Sequence, residues 1–299
     1  MSRRVALVFD CDGTIAEDST TRLLRHLQLD EKKFWAKVNE LEKEGWEPTL
    51  AFMKLLLDFS NSKLKWAAHS KPITRKTLQN VGQKLLLSKG IPSFFKDMKQ
   101  YVQKRYGGDG VTLGIYVISG GIEDIIRASR INHSSKSAKH VDDIFGCRFA
   151  YDSRDAISFP QCAITYTEKT KYLFAINKGI SAEMLRRDAY SANDFVPDPE
   201  REVPLNNMIY IGDGPTDVAC MSLLKKAGSA VLAVYTAPRY GIPKKAYELA
   251  SQGRSTRGPY TRDYRKGSDL VRALQSELDG YAERVISEAK AHRRPAVRH

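Results

Sequence analysis

The sequence predicts an α/β fold: a doubly wound, mostly parallel sheet with a small α-helical segment inserted after the first strand. Three observations point there. Short apolar runs at residues 5–9, 112–118, 208–211 and 230–234 are nearly continuous, as expected of parallel strands covered on both faces. Helical patterns separate these runs, which is the alternation of a doubly wound sheet. Polar residues follow the runs directly, with Asp10 after the first, Ser119 after the second and Asp213 after the third. In open α/β sheets ligands bind beyond the carboxyl ends of the strands.

Taken in order, the run at 5–9 delivers Asp10, and Gly13 suits a tight turn. From 20 to 87 the pattern is helical, carried by Leu23, Leu24 and Leu27, then Phe34, Val38 and Leu41, then Leu50, Met53, Leu55 and Leu57. Gly45 and Pro48 punctuate it. Pro92-Ser93 opens a further helix that runs through Tyr106 and closes at Gly107-Gly108. The strand at 112–118 ends in Ser119-Gly120-Gly121, and a helix is expected from about Ile122. Short strands are expected at 149–151 and 163–166, and Lys169 then precedes a helical stretch that runs through Ile176 and stops near Gly179. The strand at 208–211 closes on Gly212-Asp213-Gly214-Pro215-Thr216-Asp217, with a helix after it. Residues 251–267 are rich in Gly, Ser, Arg and Tyr without periodicity and read as a loop or mobile segment. Ser268 suits the cap of a last helix with Leu270, Leu274, Leu278, Tyr281 and Val285 on one face. The expected division is a core of residues 1–16 and 89–250, a helical cap of 17–88, and a basic C-terminal loop and helix of 251–299.

The 299 residues are 42% hydrophobic and 28% charged, an ordinary globular composition. The net charge of +13 favours phosphate-bearing partners. It is distributed: residues 251–299 hold eleven Lys or Arg against six Asp or Glu, so no single basic tail accounts for it. No apolar run is long enough to span a membrane. The apolar stretch near the N-terminus is too short for a signal peptide, so a cytoplasmic location is expected. Cys11, Cys147, Cys162 and Cys220 are scattered and lack metal-ligand spacing, which indicates neither a disulfide framework nor a zinc site.

The chemistry concentrates at Asp10-Cys11-Asp12-Gly13-Thr14. Two carboxylates two residues apart share a face of an ideal strand, but the turn at Gly13 can swing the second to another side of a common site. One can then attack while the other handles protons. Cys11 between them reads as an inert thiol, because negative surroundings raise its pKa. The Ser119 hydroxyl can donate to a phosphate oxygen or cap the following helix. Gly120 and Gly121 let backbone N–H groups approach an anion.

With these stations in order, the chain resembles the haloacid dehalogenase (HAD) superfamily phosphatases, in the layout of the phosphoserine phosphatase-like branch. The match covers Asp10 to Asp217: the Asp10/Asp12 pair, Ser119, Lys169, and Asp213 with Asp217. The resemblance implies a Rossmann-like HAD core and a phosphomonoester hydrolase. In it Asp10 attacks phosphorus, Asp12 protonates the leaving oxygen and later activates water, and Lys169 reaches nucleophile and phosphate. Thr14, Ser119, Gly120 and Lys169 are expected to meet the phosphate. The acidic cluster with a bound phosphate demands a cation, and Mg²⁺ suits all-oxygen ligands. By resemblance its ligands come from Asp10, the Asp12 backbone carbonyl and Asp213, with Asp217 orienting either Lys169 or a metal-bound water. Lys169 is preferred to Lys171 because a Lys-Thr pair precedes the apolar helical run.

The second carboxylate, Asp12, favours phosphoryl transfer over dehalogenation, because an alkoxide leaving group needs a proton and a halide does not. Among cap residues, Glu17, Asp18, Ser19 and Arg22 lie just past the first turn and can face a substrate. Ser19 stands where phosphoserine-cleaving relatives carry a glutamate for the substrate's ammonium, with Glu17 or Asp18 as candidate substitutes; the departure weakens a phosphoserine assignment, so the expected substrate is a small phosphorylated metabolite whose organic part stays open. Two alternatives stand beside hydrolysis: phosphotransfer or mutase chemistry through the same aspartyl phosphate, and a nucleic-acid-binding protein on the same scaffold, suggested by the charge and the Arg/Tyr-rich 251–267 segment.

Overall fold

In chain order the elements are β1 (Arg4–Phe9), α1 (Ser19–His26), α2 (Glu31–Lys43), α3 (Pro48–Ser60), α4 (Arg75–Gln83), α5 (Ser93–Tyr106), β2 (Thr112–Ile122), α6 (Glu123–Ala128), β3 (Ser134–Ser135), β4 (Ala138–Lys139), β5 (Asp143–Tyr151), β6 (Ile157–Cys162), α7 (Lys169–Lys178), α8 (Ala182–Arg187), β7 (Met208–Gly212), α9 (Val218–Lys226), β8 (Val231–Tyr235), α10 (Lys244–Ser251), β9 (Arg257–Thr261) and α11 (Asp269–Arg293). This computed structural model describes residues 3–67, 70–132, 134–135, 138–237 and 243–293. Seven strands form one sheet in the order β6-β5-β2-β1-β7-β8-β9, and β3 pairs with β4 as a separate ribbon. All neighbours in the large sheet are parallel except the edge pair β5 and β6. The chain places β2 on one side of β1 and β7 on the other, so the sheet changes direction at the carboxyl end of β1, where a crevice opens.

Alternating side chains divide between two cores. On β1, Ala6 and Val8 face one layer while Val5, Leu7 and Phe9 face the other. The first layer continues without a break into the inserted helices α1–α4 through Leu23, Phe34, Phe52 and Leu78. The second is covered by α5 and α11, the latter through Leu270, Leu274, Leu278, Tyr281 and Val285, the predicted stripe. Sequence-local signals explain the helix ends: Asp18, Asp30 and Glu47 accept from backbone N–H groups at the starts of α1, α2 and α3. Gly179 ends α7 at φ +73°. Ser268 Oγ accepts from Val271 N at 3.2 Å at the start of α11.

Three expectations are corrected. β2 does not stop at Ile118; after a register shift it pairs Ile122 with Cys147, so Ser119-Gly120-Gly121 lies within the strand and α6 begins only at Glu123. The strand expected at 163–166 is instead Ile157–Cys162, set by antiparallel pairing to β5. The segment 251–267, expected as a loop, contributes β9 to the sheet beside β8. Its side chains serve the fold. Arg257 pairs with Glu277 at 2.8 Å, Arg265 pairs with Asp263, and Tyr264 is 1% exposed among Phe9 and Phe94. Tyr264→Ala is therefore expected to cost about 3–5 kcal/mol by urea denaturation, against about 1 kcal/mol for Tyr264→Phe, which loses only a hydroxyl contact. Equal costs for the two would show that the ring is not part of the core.

Among the described residues no helix is long and apolar enough to cross a membrane. All four cysteines are free thiols.

Candidate active site

The carboxyl ends of β1, β2 and β7 converge on a cleft of about 390 Å³, roofed by α1–α3. Asp10 follows β1 and is 4% exposed. Its backbone N–H donates to the Ile211 carbonyl at 2.9 Å, which ties the end of β1 to β7. Asp213 follows β7 and lies against Gly13. That glycine has φ +80°, and a Cβ there would collide with the Asp213 carboxylate. Both the turn and the close approach therefore require glycine.

Lys169, at the start of α7, is buried and donates to Asp10 Oδ1 at 2.6 Å and to Asp217 Oδ1 at 2.8 Å. Asp217 is fully engaged: Tyr210 donates its hydroxyl to Oδ1 at 2.7 Å, and Gly214 N donates to Oδ2 at 3.3 Å. Lys171 instead pairs with Glu168 at 3.3 Å, outside this cluster. Asp12 also borders the cleft, but its carboxylate accepts from Ser19 N at 3.1 Å and Ser19 Oγ at 2.9 Å. Gly121 makes room for this arrangement, since a Cβ there would lie 2.5 Å from Ser19 Oγ and 2.8 Å from Asp12 Oδ2. Ser119 and Gly120 also line the cleft. Ser119 Oγ accepts from Gly121 N at 2.9 Å, which leaves its proton free to donate.

One expected phosphate contact is corrected. Thr14 is not among the residues that line the cleft, and its hydroxyl donates to Asp10 Oδ2 at 3.3 Å, so it orients Asp10. Of the four cap candidates, Asp18 lines the cleft, Ser19 is bound to Asp12, and Glu17 sits 3.8 Å from Arg22 and 3.6 Å from Arg25 and accepts from Leu86 N.

Burial shapes the electrostatics. It pushes the Asp10 carboxyl up to about 6, with Lys169 opposing and Asp217 assisting. It lifts Asp213 to about 8, with help from Asp10 and Asp217 against Lys169 and Arg262. Asp12 is raised well above the carboxylate range by burial, Asp18 and Asp10, although its Ser19 bonds pull it down. Burial disfavours the Lys169 charge too, but Asp10 and Asp217 outweigh it and raise the ammonium's pKa. Cys11 is pushed well up by burial and by Asp12 and Asp10, which makes it a poor nucleophile. One lysine among four carboxylates leaves an excess of negative potential. Asp10, Asp213 and Asp217 each bring a carboxylate oxygen within 4.8 Å of the others, an all-oxygen donor set of the kind a hard divalent cation prefers.

Several residues of this site escape the sequence motifs. Ser19 holds Asp12 and Tyr210 holds Asp217. Arg262 donates to the Ala16 carbonyl at 2.7 Å and Tyr264 to the Thr14 carbonyl at 3.3 Å, so the β9–α11 connection braces the first loop. The alternation along β7 does place Tyr210 on a defined face. Nothing local marks Arg262 or Tyr264.

The fold is that of the HAD-type enzymes, with a mostly parallel sheet flanked by helices. A phosphoserine phosphatase solved as a phospho-aspartyl intermediate analogue superposes with a TM-score of 0.51 at 12% identity, over 91% of this chain and 98% of that one. A probable phosphoserine phosphatase from Vibrio cholerae gives 0.51 at 14% identity, over 94% of this chain and 67% of that one. In sequence, the chain is 26% identical over 297 residues to an uncharacterized protein of Borreliella burgdorferi, covering 92% of this chain and 96% of the relative. No protein-family model matches.

Proposed function

We propose that this protein is a Mg²⁺-dependent phosphomonoester hydrolase that works through an aspartyl phosphate on Asp10. The observation that carries the reading is the buried Asp10, ion-paired to Lys169 at 2.6 Å on the floor of a cleft whose wall includes a second carboxylate, Asp12. The cleft of about 390 Å³ is lined by Asp10, Lys169, Ser119 and Gly120, groups that suit a phosphate.

In this mechanism an Asp10 carboxylate oxygen attacks phosphorus as the bond to the leaving oxygen breaks. Asp12 gives that oxygen a proton, so an alcohol departs rather than an alkoxide. Asp12 then takes a proton from water as the water attacks phosphorus, which releases inorganic phosphate and restores Asp10. Lys169 offsets charge on the equatorial oxygens and holds Asp10, and Asp217 and Tyr210 hold Lys169. Ser119 donates its hydroxyl to a phosphate oxygen. Ser19 aims the Asp12 carboxyl. Asp10 and Asp213 would hold Mg²⁺, with Asp217 already committed to Lys169; when bound, the ion would supply Lewis-acid charge neutralisation to the cluster and the phosphate.

The protein should hydrolyse p-nitrophenyl phosphate with Mg²⁺, lose the activity in EDTA, and regain it when Mg²⁺ is returned in excess. Turnover that persists undiminished in EDTA would exclude the metal-dependent reading.

A further inference from the structure

The roof of the cleft is chemically one-sided. On α2, Trp35, Val38 and Glu42 share a helical face, and from α3 Phe52 packs beside them with the Trp35 and Phe52 ring centroids 6.5 Å apart. Ile164 and Tyr166 complete an apolar and aromatic chamber from the other side. Its charged side chains, outside the cluster around Asp10, are Asp18 and Glu42. Asp18 uses one oxygen to cap α1, at Thr21 N, and among the described residues neither carboxylate is in an ion pair. Among the described residues lining the cleft, Lys169 is the one cation, and both its contacts are spent on Asp10 and Asp217.

A leaving group enters this chamber because its oxygen must meet Asp12 while its phosphorus meets Asp10. A carboxylate on the leaving group would find, among the described lining residues, no cation beyond Lys169, and would face two like charges next to low-dielectric walls. A positive charge would meet Asp18 and Glu42 beside the aromatic side chains of Trp35 and Tyr166, a residue type that attracts cations through the ring quadrupole. The Tyr166 phenol is raised by burial and by the fields of Glu42 and Glu47, so the negative potential extends along this wall.

Building on the phosphatase reading, we propose that the natural substrate is a phosphomonoester whose leaving alcohol combines a flat apolar or aromatic body with a positively charged end and carries no carboxylate. The position of Ser19 fits this recognition. It is buried and bound to Asp12, so the charge-reading residues lie further out, on the roof.

Three aryl phosphates of matched shape test it with the full-length protein and Mg²⁺: 4-(2-aminoethyl)phenyl, 4-ethylphenyl and 4-(2-carboxyethyl)phenyl phosphate. Two methylenes insulate each phenol from the charge, so the leaving groups have similar reactivity. The expected order of kcat/KM is ammonium, then ethyl, then carboxylate, with ~30-fold between the extremes, which is about 2 kcal/mol at 1.4 kcal/mol per factor of ten. The spread should reside mainly in KM and shrink in 0.5 M salt, about half a molar being enough to screen partly exposed carboxylates. Glu42→Gln and Asp18→Asn should each narrow it severalfold, and asparagine keeps the α1 cap. Equal rates, or a preference for the carboxylate, with 4-ethylphenyl phosphate well hydrolysed would overturn this inference alone. If none of the three is hydrolysed, the phosphatase reading fails and takes the inference with it.

Discussion

Asp10→Asn should reduce turnover of p-nitrophenyl phosphate by on the order of 10⁴-fold or more while leaving the fold intact. The amide matches the carboxylate in shape. Its oxygen can still accept from Lys169, and its NH₂ can donate to the Thr14 hydroxyl, which now donates to Asp10 at 3.3 Å. Lys169 also keeps Asp217 at 2.8 Å. Only nucleophilicity is lost, because an amide oxygen does not form the acyl phosphate. Initial rates should be paired with a mass measurement of the Asp10 peptide after rapid acid quench, which should carry a phosphoryl group in the wild type and none in the variant. Wild-type rates in a purified, folded Asp10→Asn preparation would remove Asp10 from the mechanism.

The second large effect is on stability and has the opposite sign. Asp213 has its carboxyl raised to about 8, chiefly by burial and then by Asp10 and Asp217. A raised acid pKa means that the ionised form is worse off in the folded chain than in the unfolded one. The penalty is absent below the ordinary carboxylate value, grows as pH rises, and is complete above about 8. Asp213→Asn removes the charge, so without divalent ions the variant should be more stable by on the order of 1–2 kcal/mol near pH 7.5. At roughly 2–4 °C per kcal/mol for a chain of this class, the melting temperature rises by several degrees. The gain should fade toward pH 5. Saturating Mg²⁺ should raise the wild-type melting temperature, since a cation that binds the folded state stabilises it, and should do so far less in the variant, which should also be inactive. A variant that melts below the wild type in EDTA, or that keeps the full Mg²⁺ response, would show that Asp213 is not a destabilised member of a cation-holding cluster.

Both effects come from residues readable in the chain, because they terminate apolar strands. A run such as Val5 to Phe9 is too apolar for anything but the interior, and the first carboxylate after it must lie at the sheet's edge, where a crevice can form. The same reasoning located Ser119 and Asp213. It was less able to bound β2, because a strand that resumes pairing after a bulge looks from sequence like a strand followed by a glycine loop. It also misread residues 257–261, where Arg, Gly, Pro, Tyr and Thr lack a strand's alternation and become a strand through pairing with β8.

What the amino-acid order determined by itself was local: periodicity set the alternation of strands and helices, and the ends of β1 and β7 set the positions of Asp10, Asp12 and Asp213, while Ser119 lies within β2 just after its longest apolar run. In sequence, Lys169 differs from Lys171 by the Lys-Thr pair alone; in the structure, burial against Asp10 and Asp217 distinguishes them. The tertiary structure alone decided that Thr14 turns to Asp10, that Ser19 holds Asp12, that Tyr210 holds Asp217, and that Arg262 and Tyr264 close on a loop almost 250 residues away. The physical reason is that hydrogen-bond partners of buried groups are chosen by which surfaces come together after the chain has packed. Residue spacing carries no record of contacts between segments so distant along the chain.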